Sequence, residues 1–328
     1  MDVAICSRKL WIDELRGIAM LIVMILHFSN GIEKQWIYSI ITAPVMIPLF
    51  FSISGFLFNP CLGDDKTFLQ KIATRLIFPW VGLAISKAIV IAIIRNSMVY
   101  LWEYVLGLFT GANLWYMPCC IIAEILFFYI LKISKSEKKL ILITIITVLI
   151  GGCLKQISVF DFLHINTAMI VQIYILLGYL LRQRESELEF SIQKVFCGAL
   201  VYVGMLVISF MYYAPQYMDV HKSRYYNFVI CILLVFSGVY TLFLVEKKKN
   251  RTSKTLVFVG RNTLVFYIFH YDTLFILEKV CEKLSCVIPI NWWGMLIKLL
   301  WATCICGIIS IVINRVCPSL VGRYKVKI

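Results

Sequence analysis

Charge is scarce in this chain. Only 15% of its 328 residues are Asp, Glu, Lys or Arg, against 61% hydrophobic residues and a mean hydropathy of +0.87. A soluble protein of this length would still need a charged surface, so the balance excludes one and indicates a polytopic membrane protein. No polar stretch is long enough for a second domain, which leaves a single helical bundle. No period of 20–50 residues repeats and no low-complexity linker appears. Twelve cysteines are present, yet no CxxC pair exists, so zinc or redox chemistry has little support. Most lie in apolar runs (Cys119, Cys120, Cys231, Cys304, Cys306), where cysteine behaves as a small hydrophobe. Cys281 and Cys286 share one expected outer loop and are spaced to pair. No G-x-S-x-G elbow, Walker A or GxGxxG segment is found.

Histidine is equally sparse, with four in the chain. None begins an H-x4-D motif: the fifth residue after His27, His164, His221 and His270 is Ile32, Met169, Tyr226 and Phe275. His164 and His221 fall in expected outer loops and read as exposed. No metal site or bound cofactor is expected.

What is abundant is apolar sequence in membrane-sized runs. A helix needs about 20 apolar residues to cross a bilayer. Ten candidate spans run over 10–30, 40–58, 76–94, 113–131, 139–153, 167–182, 194–213, 226–245, 255–277 and 293–316, with 98–111 as an interfacial or re-entrant piece. The first, preceded by Arg8 and Lys9, lacks a small-x-small cleavage site and reads as a retained helix. With the N-terminus in the cytoplasm, 21 lysines and arginines fall in inner segments and 7 in outer ones. That bias supports ten spans with both termini inside. It also accounts for the net charge of +14 without nucleic acid, since the aromatic residues lie in spans rather than among the basic clusters. Four basic residues, Arg16, Lys87, Arg261 and Lys298, fall within spans. "RQRESELEFSIQK" reads as a solvated loop. "YYAPQYMDVHKSRYYN" reads as an aromatic outer loop that either forms an interfacial belt or touches substrate.

The first span, "WIDELRGIAMLIVMILHFSN", carries Asp13, Glu14, Arg16 and His27. Ionisable residues inside a span are costly and usually face a cavity or each other. Arg16 and His27 are eleven residues apart and differ by about 20° in azimuth, with Asp13 about 60° away on the same side. The rise from Arg16 to His27 is about 16 Å. Glu14 points elsewhere and reads as an interfacial charge. Arginine can hold a phosphate or polarise a carbonyl, Asp13 can orient it at i,i+3, and histidine can act as a base near neutral pH. The structural alternative is an Asp–Arg pair plus a histidine reaching the outer interface.

At these residues the chain resembles the acyltransferase-3 family, membrane enzymes that O-acylate carbohydrates. "DELRGIAMLIVMILH" is similar to its first helix, with Arg16 and His27 on the Arg-x10-His signature and Asp13 and Gly17 on the D-x-x-R-G opening. "FFSISGFLF" (50–58) resembles the F-x-S-G-F-L motif through Ser54, Gly55 and Phe56; ordinary helix packing would also explain it. "QKIATRLIFPW" (70–80) resembles the K-R-x-x-R-x-x-x-P segment at Lys71, Arg75 and Pro79, but Ile72 stands where an arginine is usual, which weakens a two-arginine phosphate clamp. "NLWYMPCCIIAEILFF" (113–128) matches the W-[FY]-L segment at Trp115 and Tyr116, residues an interfacial belt would also explain. "GYLLR" (178–182) matches a common helix end. "GRNTLVFYIFH" (260–270) resembles the late G-x-N-[ST]-x-x-x-Y-x-x-H motif at Gly260, Asn262, Tyr267 and His270. The resemblance covers about 11–320 within one domain, 1–328, in the membrane-only form without a fused SGNH-hydrolase domain.

The resemblance implies a multi-pass protein of the cell (inner) membrane, surrounded by membrane lipid. It implies acetyl-CoA or another acyl-CoA as donor substrate and a hydroxyl of a surface glycan or lipid-linked saccharide as acceptor. The expected catalytic set is His27, Arg16 and Asp13. Expected donor or acceptor contacts are Lys71, Arg75, Ser54, Gly55, Trp115, Tyr116, Asn262, Tyr267 and His270. A glycan-lipid flippase, which needs no acyl donor, and a non-enzymatic bundle are the competing readings.

Overall fold

A computed structural model describes residues 8–59, 64–157, 161–186, 188–249 and 251–322. Among them the chain is an all-α polytopic bundle with no β-sheet. Its helices are α1 (Leu10–Phe28), α2 (Gln35–Leu57), α3 (Asp65–Ile72), α4 (Phe78–Arg95), α5 (Met98–Thr110), α6 (Tyr116–Ile133) and α7 (Glu137–Ile157). They continue with α8 (Ile165–Ile170), α9 (Gln172–Gln183), α10 (Ile192–Tyr212), α11 (Phe228–Lys248), α12 (Lys254–Arg261), α13 (Thr263–Lys283) and α14 (Trp292–Val316).

Every expected span is helical, but they are not equally suited to lipid. Among the described residues, seven helices are long and apolar enough to cross a membrane, or eight if the bent α8–α9 pair is one span. The expected spans 10–30 and 255–277 are not among them. The first carries three charges in its opening turns, and α13 carries Asp272 with a charged final turn. Both are stabilised by protein neighbours instead: α1 packs on α2, α12, α13 and α14. The segment 98–111 forms the short α5, ended by Gly111 at φ +85.

Side-chain caps mark several helix starts. Asp64, Ser97, Asn227, Ser253 and Asn291 each accept a backbone N–H three residues on, satisfying one of the donors that a helix N-terminus leaves free. Between α3 and α4 lies a π-helical turn, Ala73–Ile77, which carries Arg75. The α8–α9 pair bends by 50°, where Gln172 donates to the carbonyls of Ala123 and Ala168 at 3.1 and 2.9 Å.

Glycines set the two closest helix contacts. On α2 and α9, a Cβ at Gly55 would overlap the Ile175 carbonyl, and one at Gly178 would overlap the Ser52 carbonyl. On α1 and α12, Gly17 and Gly260 stand in the same relation to Leu256 and Asp13. Small residues let membrane helices approach backbone to backbone. Gly55 thus makes a close helix contact, as do Gly17 and Gly260.

Candidate active site

A cavity of about 700 Å³ runs along α1 between α2, α6, the 217–222 loop and the α12–α13 junction. Arg16 and His27 both line it, at opposite ends of about three helical turns. Ser54, Arg75, Trp115, Tyr116, Asn262 and Tyr267 line it too. Four expected site residues, Asp13, Lys71, Gly55 and His270, do not. Lys71 is exposed on α3 and has no part in the cavity wall.

At the end that the basic-residue bias assigns to the cytoplasm, arginines gather around Asp13, which is 2% exposed. Arg8 meets the carboxylate with a fork of 2.7 and 2.8 Å, Arg261 donates from Nε at 3.1 Å, and Arg16 lies at 3.9 Å. The expected i,i+3 pair with Arg16 is thus the loosest of three. Arg8, Arg16 and Arg261 all line the cavity, so one carboxylate behind the wall gathers three cations on its face. Close packing of Gly17 and Gly260 brings α12 near enough for Arg261 to take part.

Glu14 is not interfacial. It is 1% exposed and accepts the Ser253 backbone N–H at 3.1 Å, with Lys249 Nζ at 3.5 Å. It ties α1 to the α11–α12 connection, because a carboxyl group placed in the bundle must find partners there.

Across the cavity, Arg75 meets Glu124 on α6, and Ser54 donates to the other carboxylate oxygen at 3.0 Å. Glu124 is 4% exposed and lines the cavity. The sequence reading missed it, although an acidic residue within "CCIIAEILFF" carries the same signal as Asp13 and Arg16.

At the other end, Tyr271 Oη lies 2.6 Å from His27 Nδ1 and lines the cavity beside it. His270 stacks on His27 at 5.3 Å between ring centroids. Its Nδ1 lies 2.9 Å from the carbonyls of Phe266 and Tyr267. Carbonyls only accept, so His270 carries its proton on Nδ1. It supports His27 from behind the wall, a place periodicity alone does not reveal. Tyr267 accepts the first backbone N–H of α6, from Tyr116, at 3.1 Å. Asn262 fills the α12–α13 break: its Nδ2 donates to Phe258 O and its Oδ1 accepts from Asn314, both at 2.8 Å.

The aromatic outer loop closes this end. Met218 and Val220 are buried, while Tyr217, Asp219, His221 and Lys222 line the cavity. His221 stacks on Trp115 at 4.7 Å, and His164 packs edge-on to the same indole. Neither histidine is simply exposed, contrary to expectation; both are half-buried. Burial pushes the His221 imidazole below its ordinary value, and the neighbouring His164 adds to that.

With this geometry in place, the comparison with known families is decisive. The acyltransferase domain of that family matches residues 9–312. The chain belongs to the acyltransferase-3 family. It is a multi-pass membrane protein of acyltransferase type. No curated protein and no solved structure matches it. The acyltransferase-3 match spans every helix that builds the cavity wall from α1 to α13.

Proposed function

We propose that this protein O-acetylates a hydroxyl of a cell-surface glycan or lipid-linked saccharide, using acetyl-CoA supplied from the cytoplasm, in the cell (inner) membrane. The observation that carries the reading is one continuous cavity with arginines at one end and His27 at the other. Arg8, Arg16, Arg75 and Arg261 suit the donor's phosphates, since guanidinium groups meet phosphate oxygens with paired hydrogen bonds. A phosphate held near Arg16 leaves about 16 Å to His27, a gap suited to a donor with a long flexible arm. With its Nδ1–H donating to Tyr271, His27 keeps Nε2 free to take the acceptor's proton. The acceptor oxygen then attacks the thioester carbonyl, the C–S bond breaks, and the thiolate leaves and takes up the proton. In a two-step version, His27 itself accepts the acyl group and passes it to the glycan hydroxyl.

The test uses protein in nanodiscs with labelled acetyl-CoA and a glycan acceptor. Wild-type protein is expected to label the glycan. His27→Ala is expected to lose about a hundredfold or more of the rate, the scale of a lost general base. Unchanged transfer by His27→Ala would overturn the reading. Absence of CoA binding by the wild type would favour the flippase reading. Labelled histidine trapped without acceptor marks the two-step version.

A further inference from the structure

A second groove, of about 940 Å³, lies beside the active-site cavity between the end of α7 and the 216–228 segment. Tyr217, Asp219 and Lys222 line both spaces, so the two share one loop. That loop is fixed. Asp219 and Arg224 exchange backbone hydrogen bonds at 2.9 Å in both directions, and Ser223, at φ 51, bonds Thr167 through its hydroxyl at 3.0 Å. Met218 and Val220 anchor it in the core. A preformed wall of this kind costs little to order when a ligand binds.

The groove sets polar and aromatic side chains beside apolar ones from Val148, Leu149, Ile170 and Phe228. Tyr217, Tyr225 and Tyr226 supply aromatic faces, and Gln156 and Gln216 supply amides that can both donate and accept. Lys155, Lys222 and Arg224 line it with Asp219, and since Lys155 is already paired, Lys222 and Arg224 are left with that one carboxylate. Lys155 is held by Asp161 at 3.1 Å. Burial pushes the Asp161 carboxyl up, but hydrogen bonds from the Asn166 backbone, Thr167 and Lys155 outweigh it and keep the group below the usual carboxylate range. Aromatic faces with amides suit the alternating apolar faces and hydroxyls of sugars, and an excess of cations suits carboxylate or phosphate substituents.

We infer that this groove is a binding subsite for an acidic oligosaccharide, which lies along it while its reacting sugar passes the 217–222 loop into the cavity. The inference rests on the proposed acyl transfer only in taking the bound saccharide as the acceptor.

Direct binding tests it without any acyl donor. Oligouronides and neutral glucans of equal length are titrated against full-length protein in nanodiscs. Two variants probe the groove: Arg224→Glu, at an exposed side chain, and Gly152→Trp, where an added Cβ meets nothing within 4 Å and the ring would fill the groove. The oligouronide is expected to bind the wild type about tenfold more tightly than the glucan, with about tenfold loss in each variant, the scale of one charge-assisted hydrogen bond. Equal binding of both sugars, no oligouronide binding, or variants that bind as the wild type would overturn the inference. Binding through the groove without acyl transfer would sustain it and remove the proposed function instead.

Discussion

The phenol oxygen of Tyr271 and Nδ1 of His27 are 2.6 Å apart, joining the last turn of α1 to the middle of α13. A hydroxyl can donate or accept, but an imidazole that takes a proton at Nε2 carries hydrogen on Nδ1 throughout the reaction. Tyr271 then accepts in both states and holds the ring in one tautomer. Tyr271→Phe should lower kcat about tenfold, less than the loss in His27→Ala, and leave KM for acetyl-CoA unchanged. Steady-state kinetics with saturating acceptor measures the split. Wild-type kcat in Tyr271→Phe would remove this role from the phenol.

The helices, the one-sided Arg16–His27 stripe and the family were all legible in the sequence. Apolar runs of membrane length and a helical spacing of eleven are local properties, and they survive whatever the helices pack against. The partners were not legible. Glu14 was read as interfacial because its azimuth departs from the stripe, yet α12 covers that side of α1 and Ser253 supplies the donor. Lys71 follows the motif spacing but lies outside the cavity, on α3 ahead of the π-helical turn at 73–77 that carries Arg75. His221 reaches Trp115 only through a fold-back more than a hundred residues away in sequence. Glu124 and Arg261 were visible as charges within apolar runs, but nothing in one sequence says which cation meets which anion.

The motif glycines make a prediction about folding rather than chemistry. At Gly178 and Gly260 an added methyl would overlap a neighbouring helix carbonyl. Backbones rather than flexible side chains would have to move. Overpacking of this kind costs about 1–3 kcal/mol. Gly178→Ala and Gly260→Ala should each lower the melting temperature in detergent and the amount of protein in the membrane. Gly152→Ala, in open space, is the control and should not. Equal melting of all three would contradict the close-packing argument.

Arg75 and Glu124 form an asymmetric pair. The arginine side chain is 57% exposed and the carboxylate side chain 5%. Glu124→Gln leaves Arg75 able to reach water, whereas Arg75→Ala leaves a carboxylate in the bundle with the Ser54 hydroxyl still donating to it. An uncompensated buried group costs about 1–3 kcal/mol. Arg75→Ala should therefore destabilise more than Glu124→Gln, and the double variant should recover part of the loss. Thermal melting of the three variants decides it, and the reverse order would show that the pair is held by Arg75 rather than by Glu124.

The outer loop should respond to acid. His221 stacks on Trp115 and lies near His164, Asp219, Lys222 and Lys155, and its folded-state pKa is below the ordinary value of 6.5. Between that folded value and 6.5 the unfolded chain binds the extra proton, so stability rises with pH. The stabilising contribution is complete above about 6.5 and is lost as pH falls through the lower, folded value. The melting temperature should decline from pH 7.5 to 5.5, and His221→Phe, which keeps a ring on Trp115, should flatten that decline. An unchanged slope in the variant would place the acid sensitivity elsewhere.

Asp13 links the fold to the donor end of the cavity most directly. It touches Arg8, Arg261 and Arg16, and those three line the wall in front of it. Asp13→Asn keeps the shape but removes the charge that holds three cations together. The guanidinium groups then repel one another, and the forked contact from Arg8 loses its charged partner. KM for acetyl-CoA should rise about tenfold, the cost of weakening one charge-assisted contact, with a smaller fall in kcat because His27 lies about 16 Å further along α1. Arg8→Ala alone should do less, since Arg261 still pairs with the carboxylate. A variant at Asp13 that lost kcat with KM unchanged would mean that the carboxylate serves the chemical step rather than the arginines that face the donor.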